Sequence, residues 1–309
     1  MENHVPLIVV NPAARGGAAG REWGALAVTI RAQLGPFDCA FTRAAGDGVR
    51  IAEEEARGGR RFIIAFGGDG TISETATGIL RSGASAELGV LSHGTGADFV
   101  RTVGLPRRLA DAARALQNGR TVPIDVGRVT YATGAQSEST RYFINTASFG
   151  MSGVVADRTN RSEKRFGGRV AFAAATVTTA LSFRPPEVEI AFDGNPGQRQ
   201  RIAQVAICNG RYFGGGMKIA PDARLVDGKL DLVVIDKLSF LELVSNSRRL
   251  YAGTHVNLPQ VRQRRVQSVA ASSLNPDEPV LLEVDGETPG RLPARFEVCP
   301  GALRLRAPV

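Results

Sequence analysis

The chain has 309 residues, about twice the length of an average domain, so two domains are expected. Hydrophobic residues make up 43% and charged residues 22% of it, and its 36 glycines and 16 prolines follow no repeat, which excludes disordered and collagen-like proteins. The formal net charge is +8, and only four of the 38 cationic side chains are lysines. Because arginine favours bidentate phosphate contacts, this charge suits a nucleotide, a nucleic acid or an anionic membrane as partner.

Cysteine usage and apolar stretches indicate a cytoplasmic protein. The cysteines Cys39, Cys208 and Cys299 are widely spaced, so we expect neither a disulfide framework nor a cysteine zinc site. No cationic segment precedes the first apolar run, which argues against a signal peptide. The apolar, uncharged stretch 170–183 is shorter than the roughly 20 residues that span a bilayer. Any membrane contact is therefore predicted to be peripheral.

Short apolar segments alternate with helix-length segments from residue 1 to about 125. The predicted strands are residues 6–10, 37–41, 61–66, 88–91 and 122–126, and the predicted helices are residues 18–34, 47–57, 71–81 and 107–117. Such alternation implies βαβ units and a mostly parallel sheet that is covered on both faces. We therefore predict a doubly wound α/β domain over residues 1–125.

Beyond about residue 125 most segments are strand-like. The predicted strands are residues 142–146, 187–192, 202–208, 230–235, 280–284 and 296–299, and the predicted helices are residues 168–183 and 239–253. Apolar and polar residues alternate in these strands, which favours a mainly antiparallel β domain over residues 126–295.

The strongest local motif is the sequence Gly-Gly-Asp-Gly-Thr at 67–71, between a predicted strand and a predicted helix. Its glycines leave backbone N–H groups unobstructed beside the positive end of a helix dipole, which makes a phosphate site. Asp69 would repel phosphates unless it held Mg²⁺ or a proton, so it favours phosphoryl transfer over simple phosphate binding. A tight turn with Asp69 as a helix cap is the alternative.

Two similar turns, 11–17 and 92–98, follow other predicted strands of the same domain. Because the carboxyl ends of parallel strands meet at one edge of a sheet, we expect all three turns to converge on one ligand. None of them has the Gly-Lys-Ser/Thr ending of a P-loop or the glycine spacing of a dinucleotide site, and protein-kinase signatures are absent.

These turns and further motifs resemble the diacylglycerol kinase catalytic family, whose lipid kinases are related to sphingosine kinases and more remotely to NAD kinases. The markers are Asn11-Pro12 and residues 67–71, 94–99, 209–217, 220–221, 227–231 and 285–287. The resemblance implies an ATP-binding α/β domain, a C-terminal β-sandwich domain, ATP bound between them, and a final segment, 296–309, that returns to the first domain. The implied reaction is ATP- and Mg²⁺-dependent transfer of the γ-phosphate to the primary hydroxyl of diacylglycerol or a similar lipid.

The resemblance also assigns site residues. The implied ATP contacts are Asn11, Thr42, Gly67, Gly68, Asp69, Gly70, Thr71, Ile72, Ser73 and Thr95. Asp69 and Asp98 would organise the catalytic Mg²⁺, and Glu287 would be the general base that takes the proton of the lipid hydroxyl. A second metal ion would be bound by the Asp227 carboxylate and the backbone oxygens of Arg224 and Lys229. Asp-Gly turns are the alternative explanation at 227–228 and 285–286.

One loop departs from the family pattern, because Ala97 stands where the family usually has Asn and Ser92-His93 where it usually opens with Pro. His93 is a candidate substrate contact, with an ordinary loop residue as the alternative. A catalytically silent nucleotide or lipid sensor therefore stays open as an alternative function, and NAD kinase is a second one.

A lipid substrate implies reversible docking at a membrane surface, where the arginine surplus favours an anionic leaflet. The docking candidate is the stretch 172–183, flanked by Arg165, Arg169 and Arg184, and an ordinary packed helix is the alternative. Nucleic acid is not an expected partner, because the basic segment 262–265 has no interleaved aromatic residues. An exposed sheet edge in either domain would allow a homodimer.

Overall fold

The computed structural model describes residues 5–94, 96–133, 137–161, 168–236, 242, 245–275 and 277–308. The chain divides into two compact units: Met1–Ile124 with Gly301–Val309 form the first, and Asp125–Pro300 form the second. This division falls next to the predicted boundary at residue 125, and the returning segment begins at residue 301 rather than 296. The predicted helix 239–253 lies partly outside the described residues.

The first unit alternates strands and helices as its sequence predicts. Its elements are β1 (Leu7–Val10), α1 (Ala18–Arg21), α2 (Trp23–Leu34), β2 (Asp38–Phe41), α3 (Asp47–Arg57), β3 (Phe62–Gly67), α4 (Asp69–Ser82), β4 (Glu87–Ser92), α5 (Asp98–Val103) and α6 (Leu109–Asn118). Two long strands, β5 (Arg120–Ala132) and β15 (Arg291–Ala307), continue from one unit into the other. The predicted helix 18–34 is interrupted at Glu22, which separates α1 from α2.

The sheet of the first unit is parallel, with the order β2-β1-β3-β4 and then the end of β15. Helix α2 packs against α6, and α3 packs against α4. The chain moves outward from β1 to β2, and then in the opposite direction from β3 to β4. The carboxyl ends of β1 and β3 therefore flank the point where strand order reverses, which is where open α/β sheets bind ligands.

The strands β1 and β3 are buried along their whole length, as expected for parallel strands covered on both faces. Alternate residues of these strands, including Ile8, Val10 and Phe66, join Ile30 of α2 and Leu116 of α6 in one apolar cluster. This packing holds the ends of the two central strands, and the loops that follow them, at fixed positions.

The second unit is mainly antiparallel. Its further elements are β6 (Glu138–Phe143), β7 (Thr146–Gly150), α7 (Met151–Arg161), α8 (Gly168–Ser182), β8 (Glu187–Phe192), β9 (Gln198–Arg201), β10 (Gln204–Cys208), β11 (Leu230–Ile235), α9 (Ser247–Ala252), a 3₁₀ turn (His255–Asn257), β12 (Val261–Val266), β13 (Ser268–Ser273) and β14 (Leu282–Val284). The predicted strand 142–146 is wrong as a single element, because the chain leaves β6 at Phe143 and enters β7 at Thr146.

Two antiparallel layers enclose the core of the second unit. One is a five-stranded sheet in the order β12-β11-β10-β7-β14, and the other contains β15, β13, β8 and β9. Phe149 of the first layer stacks on Phe296 of the second with ring centroids 6.1 Å apart, and both rings are fully buried. The predicted fold class, an α/β domain followed by a β-sandwich, is thus confirmed. Among the described residues, no helix is long and apolar enough to cross a bilayer.

Candidate active site

The three glycine-containing loops of the first unit lie against one another at the carboxyl edge of its sheet. The Asn11 side chain donates to Thr71 Oγ1 at 3.1 Å, which joins the loop after β1 to the first turn of α4. The His93 N–H donates to the Gly67 carbonyl at 2.7 Å, which joins the loop after β4 to the end of β3. The convergence expected from strand order is therefore present in the structure.

The close approach of the loops requires glycine at two positions. A Cβ atom on Gly94 would lie 2.5 Å from the Cα atom of Gly68, and a Cβ atom on Gly96 would lie 2.5 Å from Asp69 Oδ2. Real Cβ atoms do not approach other atoms so closely, so a side chain at Gly94 would push the loops apart, and one at Gly96 would displace the Asp69 carboxylate. The glycines thus place the third loop directly on the Gly-Gly-Asp turn.

Asp69 is the first residue of α4, but its carboxylate serves a different helix. Asp69 Oδ1 accepts the backbone N–H of Phe99 at 3.2 Å, and the N–H groups of Ala97 and Asp98 also point at this carboxylate. Burial raises the pKa of Asp69, while these N–H groups and the charge of Arg101 act in the opposite direction. Because burial disfavours its ionised form, this carboxylate would be stabilised by a nearby cation, so its setting fits a magnesium ion.

Asp98, the second predicted magnesium carboxylate, is buried at the start of α5. Arg101 Nη1 lies 2.9 Å from Asp98 Oδ1 and also donates to the Gly96 carbonyl. Since the Asp98 N–H points at Asp69, the structure brings the two predicted carboxylate residues together. Mg²⁺ binds through one or two carboxylates and completes its shell with phosphate oxygens and water, so Asp69 fits as a ligand, while the Asp98 carboxylate is already paired with Arg101.

Ala97, the departure from the family pattern, has a strained backbone. It adopts φ 57° and ψ 37°, in the left-handed region, immediately before α5, and its side chain offers no cap to that helix. Asparagine tolerates this conformation better than alanine and carries a capping oxygen. The missing amide therefore affects the stability of the loop that carries Asp98.

Replacing Ala97 with Asn is expected to stabilise the protein by about 0.5–1 kcal/mol, because Asn relieves the strain and adds a helix cap. Thermal unfolding without nucleotide checks this, with an expected rise in Tm of about 2 °C. Ala110→Asn, on α6, is the control, because it puts the same side chain into a helix with no left-handed backbone to relieve. A lower Tm for Ala97→Asn than for this control would contradict the interpretation.

The other residues predicted to contact ATP differ in their solvent accessibility. The Thr42 N–H donates to the carbonyl of Val10 at 2.9 Å, which places Thr42 beside the end of β1. Gly68, Gly70 and Ser73 are at least partly accessible around the start of α4. Ile72 is fully buried and its N–H donates to the Gly68 carbonyl, and the ATP contact there stays a prediction. Thr95 lies outside the described residues.

His93 is held as part of the loop. Its ring stacks on Phe66 with centroids 5.1 Å apart. Burial lowers the pKa of His93, and the charge of Arg15 lowers it further, although Glu22 acts in the opposite direction. The packing accounts for His93 as a loop residue, and the substrate contact stays a prediction.

In the second unit, residues 284–287 form a two-residue hairpin turn. Val284 and Glu287 exchange backbone hydrogen bonds of 2.8 and 3.0 Å, and both central residues have positive φ, 46° at Asp285 and 92° at Gly286. This is the primed turn that Asp-Gly favours. The backbone at 285–286 is therefore the Asp-Gly turn that was the alternative explanation of this motif.

Asp285 fixes this turn to another part of the chain. Its Oδ2 accepts the N–H of Ile144 at 3.0 Å, and its Oδ1 accepts those of Asn145 and Thr146 at 3.1 and 2.9 Å. These three amides lie at the break between β6 and β7: Ile144 and Asn145 are outside both strands, and Thr146 is the first residue of β7. The Asp285 carboxylate accepts the N–H groups that would otherwise pair with a neighbouring strand, which explains why the predicted strand 142–146 divides in two.

Glu287, the predicted general base, is about half exposed at the end of the turn. Its Oε2 pairs with Arg141 Nη1 of β6. Burial alone would lower the pKa of Arg141, but the hydrogen bond and the charge of Glu287, with a smaller contribution from Tyr131, raise it. Arg141 thus holds the carboxylate oxygen Oε2 of Glu287.

The predicted second metal site lies in the loop before β11. The Lys229 N–H donates to Asp227 Oδ1 at 3.2 Å, while Asp227 Oδ2 is buried without a hydrogen bond and has the Arg265 guanidinium 3.8 Å away. The buried Asp125 carboxylate accepts the N–H of Gly228 at 2.7 Å and holds the loop. A buried carboxylate oxygen without a hydrogen bond fits a cation.

No cluster of three or more His, Cys, Asp or Glu side chains that could hold a metal exists in the part of the chain that the structure describes. Both predicted magnesium sites would therefore need other ligands. Backbone carbonyls such as those of Arg224 and Lys229, phosphate oxygens and waters are the ligands that Mg²⁺ accepts.

Comparison with known proteins identifies the family. A family model for the diacylglycerol kinase catalytic domain matches residues 6–129, and one for the YegS C-terminal NAD kinase beta sandwich-like domain matches residues 145–307. The chain is 34% identical to a diacylglycerol kinase of Bacillus subtilis (strain 168) over 257 residues, which is 82% of this chain and 80% of that protein. It is 31% identical to one of Staphylococcus carnosus (strain TM300), over 82% of this chain and 79% of that protein.

Solved structures share the fold. A crystal structure of a diacylglycerol kinase from Bacillus anthracis str. Sterne matches with a TM-score of 0.70 and 21% identity, over 98% of this chain and 97% of that one. The two family matches, the relatives and the fold agree, so the chain belongs to the diacylglycerol kinase family of lipid kinases.

Proposed function

We propose that the protein is an ATP- and Mg²⁺-dependent lipid kinase that transfers the γ-phosphate to the primary hydroxyl of diacylglycerol or a similar lipid. The observation that carries this proposal is the meeting of the three glycine-containing loops around the partly buried Asp69 carboxylate, at the switch point of the parallel sheet. Backbone N–H groups of a glycine-containing turn beside a carboxylate suited to a cation are what a nucleoside triphosphate with its metal needs.

The residues of the first unit would bind and orient the nucleotide. The turn 67–71 would direct its N–H groups at the phosphates, and Asn11 would keep the first loop against that turn through its bond to Thr71. Asp69 and Asp98 would hold the magnesium ion, which neutralises phosphate charge when bound. Because the loops are already held together by glycine contacts and hydrogen bonds, little ordering is needed when ATP binds.

Glu287 would remove the proton of the lipid hydroxyl. Because Arg141 holds Oε2, the proton would be accepted at Oε1. A primary alcohol must lose its proton as it attacks the γ-phosphorus, and a positioned carboxylate provides the acceptor. The Asp285 contacts with residues 144–146 would keep the backbone under Glu287 in place during the reaction.

A bilayer substrate also requires docking, for which α8 is the candidate. Val177 and Leu181 lie four residues apart on α8, with 48% and 67% of their surfaces exposed, so they share one face of the helix. Arg184 follows the helix and is exposed as well. An apolar face beside a cationic residue suits the surface of an anionic leaflet.

Binding to phosphatidylglycerol vesicles is expected to fall at least fivefold between about 0.05 and 0.5 M NaCl, because salt screens the attraction of arginines to the leaflet. Vesicle sedimentation measures this. Leu181→Glu should weaken binding further, whereas Val28→Glu, at an exposed apolar residue of α2, should not. Binding that is insensitive to salt and to anionic lipid would refute electrostatic docking.

Transfer of labelled γ-phosphate from ATP to lipids in mixed micelles tests the proposed function. Diacylglycerol, phosphatidylglycerol and a sphingoid base form the panel, with NAD as a soluble acceptor, each with and without Mg²⁺. We expect Mg²⁺-dependent labelling of a lipid. Labelling of NAD alone would instead identify an NAD kinase, and ATP binding without any transfer would favour a silent sensor.

A further inference from the structure

A buried carboxylate lies next to the turn that carries Glu287. Glu283 is in the middle of β14, and only 7% of its surface is exposed. Its strand neighbours Leu282 and Val284 are both buried in the apolar core. Ionisable groups are almost never fully buried unless they are hydrogen-bonded, so the partners of Glu283 indicate its role.

Glu283 connects the turn to the sheet. Its Oε1 accepts the N–H of Gly286 at 2.6 Å, and its Oε2 accepts the hydroxyl of Ser148, the directly paired residue on β7. The Ser148 hydroxyl lies 2.8 Å from that of Ser152 on α7, which in turn accepts Gln204 Nε2 of β10 at 2.7 Å. A chain of hydrogen bonds thus runs from a central strand of the sheet to the residue before Glu287.

We propose that Glu283 is a positioning residue that sets the location of the Glu287 carboxylate. This inference rests on the proposed function, because it assumes that Glu287 accepts the proton. Asp285 holds its end of the turn through residues 144–146, and Glu283 holds the other end through Gly286. The glycine has positive φ and no side chain to pack, so its backbone groups fix its position: its N–H donates to Glu283 at 2.6 Å, and its carbonyl accepts the longer bond from Asn160 Nδ2 at 3.4 Å.

Removal of Glu283 would free this end of the turn. In Glu283→Ala the Gly286 N–H loses its acceptor, so the backbone before Glu287 gains freedom. Displacement of a reacting group by about 1 Å costs up to about 10²-fold in turnover. Glu283→Gln keeps a carbonyl oxygen for the Gly286 N–H and an amide that can donate to Ser148 Oγ, so it should restore the position.

The test compares purified full-length variants for kcat, for KM with ATP and for hydrogen exchange of the Gly286 amide. In Glu283→Ala, we expect kcat to fall about 10- to 100-fold, KM for ATP to stay within about twofold, and the Gly286 amide to exchange at least about tenfold faster. Glu283→Gln should keep kcat within about threefold of the wild type. Val266→Ala, a core truncation on β12 at the opposite edge of the sheet, controls for lost stability and should keep kcat.

An unchanged kcat in Glu283→Ala would overturn the inference, as would a loss of kcat that Val266→Ala reproduces at equal loss of Tm. The hydrogen-exchange measurement separates this inference from the proposed function. If the wild type labels no lipid, the proposed function fails. Faster exchange of the Gly286 amide in Glu283→Ala would then show only that Glu283 holds the turn, and the positioning role would fail together with the proposed function. If the wild type is active but that amide exchanges unchanged in Glu283→Ala, the inference alone fails.

Discussion

Replacement of Glu287 with Gln is expected to lower lipid phosphorylation by about 10²–10⁴-fold while leaving ATP binding unchanged. Glutamine keeps the length of the side chain and an oxygen for Arg141, so the turn at 284–287 should stay folded. It cannot accept the proton of the attacking hydroxyl. Turnover at saturating ATP and lipid, measured beside ATP affinity by calorimetry, checks both halves of this prediction.

Glu189→Gln is the matched control for Glu287→Gln. Glu189 is also a partly exposed carboxylate of the second unit, and it pairs with Arg199 at 3.2 Å, but it lies on β8 away from the Asp-Gly turn. Its replacement removes a surface ion pair, which contributes at most about 1 kcal/mol to stability and nothing to catalysis. If both variants turn over like the wild type, Glu287 is not the base.

The second large effect is expected at Asp69. In Asp69→Asn, phosphoryl transfer should fall by at least about 10³-fold, because the residue would no longer supply a charged ligand to the cation. An amide oxygen can still accept the Phe99 N–H, so the loop between β4 and α5 should remain in place. The Mg²⁺-dependent part of the Tm increase that ATP produces should disappear, since that increase reports binding to the native state.

Asp193→Asn is the control for the structural part of this change. Asp193 accepts the backbone N–H groups of Gln267 and Ser268 at 2.8 and 2.9 Å, so it is also a carboxylate that caps amides. Its variant should lose some stability and keep both activity and the Mg²⁺-dependent shift. A wild-type Mg²⁺ shift in Asp69→Asn would show that Asp69 does not hold the cation.

Local sequence patterns predicted the first unit well. Its central strands β1 and β3 are continuous apolar runs, the helix 47–57 was predicted with the bounds of α3, and the predicted helix 71–81 begins two residues after the start of α4. The interruption at Glu22 was not predicted, because the flanking Gly20 and Gly24 weaken a helix without fixing where it ends. In the second unit, α7 and the strands β9, β12 and β13 were missed, because the residues of β9 and β12 are largely polar.

The roles of the site residues depend on contacts between distant parts of the chain. Asp69 was considered as a cap for its own helix, yet it accepts amides at 97–99, about thirty residues away. The hairpin at Asp285-Gly286 was predictable from two residues, but its attachment to residues 144–146 was not. Glu283 in an apolar strand was the one available signal for the buried network, since a charged residue at such a position requires partners.

We propose that the loops around Asp69 and the carboxylate of Glu287 serve one phosphoryl transfer. Wild type, Asp69→Asn and Glu287→Gln should be assayed together for transfer of labelled γ-phosphate from ATP to diacylglycerol in micelles with Mg²⁺, each with its ATP affinity measured on the same preparation. We predict labelled lipid with the wild type only, and wild-type ATP affinity in Glu287→Gln. Equal labelling by all three proteins would contradict the claim.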